Sequence, residues 1–245
     1  MKKTILVLIS LASLVIISLI AYITYLGLMP GLSDLVKTNK PKDLKVIYTE
    51  EDYSGFMAKT KTNYVSLEGD PIPEESIIFS GQKDLETSFT SAEASARINY
   101  DKWAYMPFYN VQIKFNNDGT FELSSNLRMD RIDGFIQSIG GVGYSKKDVD
   151  KGLGYLGIIK NDPPIYAKAS VAVQNNEPII HLEKLEVGKI RIPIEKFDSD
   201  SFLVKITKQV FSRIPGFYTQ SFILSEDMAS FKGKIPEKLE VQLTK

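Results

Sequence analysis

Apolar residues in this chain follow two rules. From Ile5 to Met29 they run almost unbroken for 25 residues without a charge, whereas beyond residue 100 they alternate with polar neighbours at period two. Tyr109, Val111, Ile113 and Phe115 alternate with Asn110, Gln112 and Lys114; Asn116 to Gly119 supplies a turn; Phe121, Leu123 and Leu127 return. That pattern predicts a hairpin. Ile165, Ala167, Ala169, Val171 and Val173 repeat it up to a turn at Gln174 to Pro178. In the long strand that follows, the apolar phase moves from Ile180 and Leu182 to Leu185 and Val187, then after Gly188 to Ile190, Ile192 and Ile194, which predicts bulges. Ala229, Phe231, Gly233 and Ile235, then Leu239, Val241 and Leu243, continue the alternation. Faces half wet and half buried predict an antiparallel sheet.

Helices are expected to cover the buried face. Tyr48 to Asp52 and Phe89 to Glu93 share one plan, an aromatic residue, a threonine, two residues and an acid, in which Thr49 and Thr90 cap helix starts while the acid reaches back. Asp130 opens another helix, with Ile132, Phe135, Ile136 and Ile139 on one face. Ser201 opens one with Phe202, Leu203, Ile206, Val210, Phe211 and Ile214 on its apolar side, stopped at Pro215-Gly216.

The first apolar run divides the chain. As a helix its 25 residues reach about 37 Å, enough for a bilayer core of roughly 30 Å. It exceeds the apolar region of a cleaved signal peptide, and Tyr22, Tyr25 and Leu26 spoil a cleavage site, so residues 1–29 are expected to be an uncleaved transmembrane signal anchor. Lys2 and Lys3 precede it and Lys37, Lys40, Lys42 and Lys45 follow, so lysine bias alone leaves orientation open. The basic start and apolar run are laid out as a signal sequence, which puts the amino terminus inside and the rest outside the cytoplasm, in the cell membrane as a single-pass protein. Residues 30–45, with proline, glycine and lysine, read as a linker, and residues 46–245 as one extracytoplasmic domain. The fold class expected is α+β, a transmembrane helix followed by a curved antiparallel sheet wrapped on amphipathic helices.

Composition removes several classes of function. Thirty basic residues balance thirty acidic ones, so no bulk field attracts nucleic acid. Without cysteine there is no disulfide, thiolate metal site, lipoprotein attachment or thiol nucleophile. The one histidine, His181, stands between Ile180 and Leu182 and points to the polar side of its strand, a wall position rather than a base or metal ligand. Gly152 to Gly157 matches the G-x-G-x-x-G of dinucleotide sites, but neither a strand before it nor a helix after it fits; with Gly140, Gly141 and Gly143 it reads as a pliable loop. Asp130 with Asp133, and Asp148 with Asp150, are the nearest carboxylate pairs, and acids at a helix start are favoured by the dipole without any catalytic task. Neither a catalytic residue, a metal ligand nor a cofactor is expected. Tyr100 to Tyr109 packs five aromatics into ten residues, readable as core, as a sugar-stacking platform or as a lipid-surface belt, with Trp103 and Tyr105 foremost.

Pro163 to Phe197, followed by Ile214 to Phe217 and Phe231 to Leu243, resembles the YpmS-like family of membrane-anchored bacterial proteins. The shared plan is a basic start, one anchor, a Thr-capped helix, paired long strands, a Val-Gly-x-Ile-x-Ile-Pro turn, a helix and Ile-Pro-Gly. The resemblance implies a curved sheet wrapped on a helix, similar to tubular lipid-binding domains, and lipid handling in the cell envelope. It carries over no catalytic residue. The expectation is therefore a non-enzymatic protein that binds or shuttles a lipid or other apolar ligand, with Ile132, Phe135, Ile136, Ile139, Phe202, Ile206 and Val210 lining the slot. The alternative is a scaffold or binding module for cell-wall polymer or a membrane-protein partner, using Trp103 and Tyr105. Sequence leaves open whether the interior is filled or hollow.

Overall fold

The structure, a computed structural model, describes residues 2–29, 31–141, 162–196, 198–225 and 227–244. Helix α1 (Lys2–Tyr25) is 24 residues long. Its side chains are described from Ser10 onward, and among the described residues no helix is long and apolar enough to cross a membrane. The structure thus gives no support to the transmembrane helix expected over residues 1–29. A four-residue helix α2 (Leu32–Leu35) follows.

Beyond it the chain is α+β. Strands β1 (Asn63–Ser66), β2 (Ile77–Ser80), β3 (Lys83–Thr90), β4 (Phe108–Phe115), β5 (Thr120–Leu127), β6 (Pro164–Gln174), β7 (Glu177–Val187), β8 (Ile190–Arg191), β9 (Tyr218–Ser225), β10 (Met228–Ile235) and β11 (Lys238–Val241) form two sheets. In the small one β11 lies between β1, parallel, and β2, antiparallel. The large one is a strongly curved antiparallel half-barrel ordered β3-β10-β9-β6-β5-β4. It forks at β6: residues 164–170 pair with β5 and residues 172–174 with β9, while β7 takes the whole opposite edge.

The hairpin expected from Tyr109 to Leu127 is β4–β5, with one correction. Asn110 has φ 52° and the register slips between Tyr109 and Gln112, a bulge that puts one extra residue in β4. Phe108, not Tyr109, therefore joins Val111, Ile113 and Phe115 on the concave side. Asn175 and Asn176, both at positive φ, make the tight turn between β6 and β7. The first phase change of β7 is a bulge, since Lys168 pairs with Lys184 and Ala169 with Leu182, leaving Glu183 extra. The second is a correction: after Gly188 the strand does not continue but turns back, with Val187 opposite Ile190.

Both expected capping boxes form. Thr49 and Asp52 open α3 (Glu50–Thr60), and Thr90 and Glu93 open α4 (Ser91–Asn99). The helix expected from Asp130 is preceded by a 3-10 turn at Met129–Arg131 and becomes the short α5 (Ile132–Ser138). The helix expected from Ser201 starts two residues earlier, capped by Asp198, as α6 (Ser199–Arg213). It runs beside β7, where the Asp200 carboxylate accepts from the Leu182 amide at 2.9 Å and Lys208 pairs with Glu177. A covered edge strand cannot recruit another chain.

Residues 38–46 lie on the convex side of the large sheet. Asn126 donates to the Asn39 carbonyl at 2.9 Å, Gln112 accepts from the Leu44 amide at 2.7 Å, and the Lys42 ammonium sits 3.8 Å above the Tyr166 ring and 3.3 Å from Glu122. Burial, then the hydrogen bond to Glu122, pushes the Tyr166 phenol up to about 12.

Candidate functional site

The half-barrel has two free edges, β3 and β4, and α4 joins them. Its N-cap Thr90 ends β3, and its Ser91, Ser95 and Asn99, one turn apart on one face, meet β4. Ser91 accepts from the Phe115 amide at 2.9 Å and Ser95 from the Ile113 amide at 2.8 Å. The Asn99 amide group both accepts from Val111 N–H at 2.9 Å and donates to Val111 C=O at 2.7 Å. Side chains of a helix thus satisfy an edge that would otherwise lie buried with orphan amides.

This closure leaves a partly open lumen of about 430 Å³. Strand register puts its walls on one continuous face. Ala229 stands between Phe89 and Leu224, and Phe222, Val171, Phe121 and Leu123 continue the wall. Phe115, Ile113 and Val111 complete the β4 side; Ala94 and Ile98 of α4 and Phe56 of α3 form the roof. Phe56 stacks on Phe89 at 4.5 Å, and the Lys59–Glu93 ion pair at 2.6 Å holds α3 against α4. All fourteen lining residues are apolar, and ten of them are only partly buried. At the base of the lumen Phe115, Leu224 and Ala229 pack together, with Ala94, Ile113, Phe121, Val171 and Phe222 against them.

None of the seven residues expected to line a slot is among the fourteen. Ile132 is buried; Phe135, Ile136, Ile139, Phe202, Ile206 and Val210 are half-buried. Outside the lumen, the Gln209 side chain of α6 donates to the carbonyls of Gly140 at 2.6 Å and Gly141 at 3.0 Å, just past the end of α5. Phe135 reaches the lumen through Phe108, 6.2 Å away. Trp103 is interior, 5% exposed, with its indole N–H donating to Ser76 Oγ at 3.1 Å and its ring 5.9 Å from Phe135. Tyr105 lies edge-on to it at 6.3 Å and covers Gly134 so closely that a Cβ there would fall 2.2 Å from the ring.

His181 is exposed, and its Nδ1 lies 2.8 Å from the Asp200 carboxylate. That hydrogen bond and charge raise the histidine above its ordinary 6.5, while the Leu182 amide, then His181, hold Asp200 below its ordinary 3.8. The groove beside them, about 500 Å³, is bordered by Glu183, Arg191, Glu195 and Asp198. Among the described residues no three His, Cys, Asp or Glu are grouped to hold a metal ion. Gly143, Asp148, Asp150 and the glycines of 152–157 lie outside the described residues.

Compared with protein-family models, curated proteins and solved structures, the chain finds no match.

Sequence reasoning expected a slot but missed its lining because the roof is α4, whose Ser91, Ser95 and Asn99 stripe reads as a solvent face. The usable signal was that spacing beside the small apolar pair Ala94 and Ile98.

Proposed function

We propose that the chain is a membrane-anchored, non-enzymatic carrier that holds the hydrocarbon part of a lipid in the α4-closed lumen. The observation that carries this is the wall chemistry: fourteen apolar residues around about 430 Å³. That volume lies within the roughly 300–1,000 Å³ of ligand pockets and is about three times the ~150 Å³ apolar cavity that takes up benzene. Water there would find no polar partner on the lining side chains. A hydrocarbon chain does, at about 0.8 kcal/mol per methylene removed from solvent.

The anchor is the second part of the reading. Leu11, Leu14, Val15, Ile16, Ile17, Leu19, Tyr22 and Tyr25 of α1 are all more than half exposed, a surface suited to lipid rather than water. With the signal-like start, the folded domain belongs on the extracytoplasmic side. The resemblance to the YpmS-like family agrees with this reading.

Native mass spectrometry of the full chain released from mild detergent, followed by extraction, tests the proposal. Bound lipid is expected on the unaltered protein and reduced on Ala94→Phe, which fills the lumen from α4. Absence of lipid from every preparation, or equal loading of the filled variant, overturns it.

A further inference from the structure

The exit of α1 is built as a joint, not a swivel. The helix ends in a left-handed glycine turn: the Leu28 amide donates to Ile23 C=O at 3.2 Å and the Gly27 amide to Thr24 C=O at 3.0 Å, with Gly27 at φ +80°. A side chain at Gly27 would also meet the Thr38 carbonyl at 2.7 Å. The chain then folds back on the helix end, where Ser33 and Thr38 both donate to Thr24 C=O, at 3.1 and 2.5 Å.

The large sheet docks on the same point. In the turn between β7 and β8, the Lys189 amide donates to Leu26 C=O at 3.1 Å and its ammonium lies 3.9 Å from the Tyr25 ring. Gly188 approaches so closely that a Cβ would stand 2.3 Å from Leu26 O.

Around this joint large apolar side chains are exposed among lysines and one acid, Asp34, whose carboxylate accepts from the Gly31 amide at 3.2 Å. Leu35 is 77% exposed, Val36 54%, and Leu32 and Ile190 41% each; Lys37 and Lys189 stand beside them. Tyr22 and Tyr25 of α1 are exposed at the same level of the helix. Aromatic rings, lysines with long stems and isolated large aliphatics at the end of an apolar helix fit the headgroup layer of a bilayer, where stems and rings meet acyl chains and charges meet phosphate.

We propose that Leu32, Leu35, Val36 and Ile190, rimmed by Lys37 and Lys189, form a membrane-contact surface that seats the folded domain in the headgroup layer of the leaflet from which α1 emerges. This rests on the reading of α1 as a membrane span. It fixes the half-barrel at the bilayer instead of suspending it on a linker.

The chain has no cysteine, so single labels are unambiguous. Leu35→Cys, Ile17→Cys and Ile179→Cys, each labelled with bimane in the full chain, are reconstituted in phosphatidylcholine and phosphatidylglycerol vesicles carrying nitroxide on the headgroup or at mid-chain. Position 17 is expected to be quenched by mid-chain nitroxide. Position 35 is expected to be quenched by headgroup nitroxide several-fold more than position 179, which projects from β7. Quenching at 17 with no excess at 35 over 179 overturns the seating and leaves the anchor standing. Quenching at neither 17 nor 35 overturns both.

Discussion

Ser95 of α4 accepts a hydrogen bond from the amide of Ile113 in β4 at 2.8 Å, so a serine stands where the carbonyl of a neighbouring strand would be. The same hydroxyl donates to Ser91 C=O at 2.7 Å and is fully buried. Closure of the half-barrel and the presence of its lumen follow from this contact and its neighbours at Ser91 and Asn99.

Ser95→Ala leaves the Ile113 amide buried without an acceptor, which costs about 1–3 kcal/mol. Urea unfolding followed by fluorescence of Trp103, the sole tryptophan, should show a lower midpoint, and hydrogen exchange at Ile113 should accelerate. Superimposable curves would mean that α4 does not close the edge.

Gly134→Ala drives a methyl group into the Tyr105 ring, 2.2 Å from its nearest carbon. The ring must move, loosening the Trp103 and Phe135 contacts, at a cost of about 1–3 kcal/mol. The Trp103 emission should shift to the red. In a Tyr105→Ala background the added penalty should largely vanish, a non-additivity that the double-mutant cycle reads directly.

His181 gives a single imidazole signal, because the chain holds no other histidine. Its midpoint should lie above 6.5 and fall toward that value in Asp200→Asn. A histidine raised in the folded state stabilises fully below 6.5 and loses that contribution as pH rises through its folded midpoint. Asp200, lowered from 3.8, stabilises above that value and loses its contribution as pH falls through its folded midpoint. The tether of α6 to β7 therefore works best between the two, and a midpoint at or below 6.5 would contradict the geometry.

Much of the scaffold is legible in the sequence because its signals are local. The β4–β5 and β6–β7 hairpins follow from alternation and turn residues, the Glu183 bulge from a phase change, and two helix starts from Thr49 and Thr90 with their acids. Properties decided between distant segments are not legible. The apolar faces of α5 and α6 are wider than that of α4, yet α4 roofs the lumen, since β3 ends where α4 must begin and β4 offers bare amides to Ser91, Ser95 and Asn99. Tyr109 and Phe108 exchange sides because Asn110 adopts a left-handed conformation, which an alternating pattern does not reveal. Trp103, read as core, platform or belt, is placed inside by Ser76, which arrives from a segment 27 residues away.

The central claim is that a hydrocarbon chain occupies the space beneath α4. The most direct measurement is photo-crosslinking of the full chain in vesicles with a phospholipid carrying a diazirine at the end of its acyl chain, mapped by peptide mass spectrometry. Adducts are expected on Ile113, Phe115, Phe121 and Phe222, and should diminish in Ala94→Phe. Adducts confined to α1, or falling on the α5 and α6 faces with the lumen unlabelled, would contradict it.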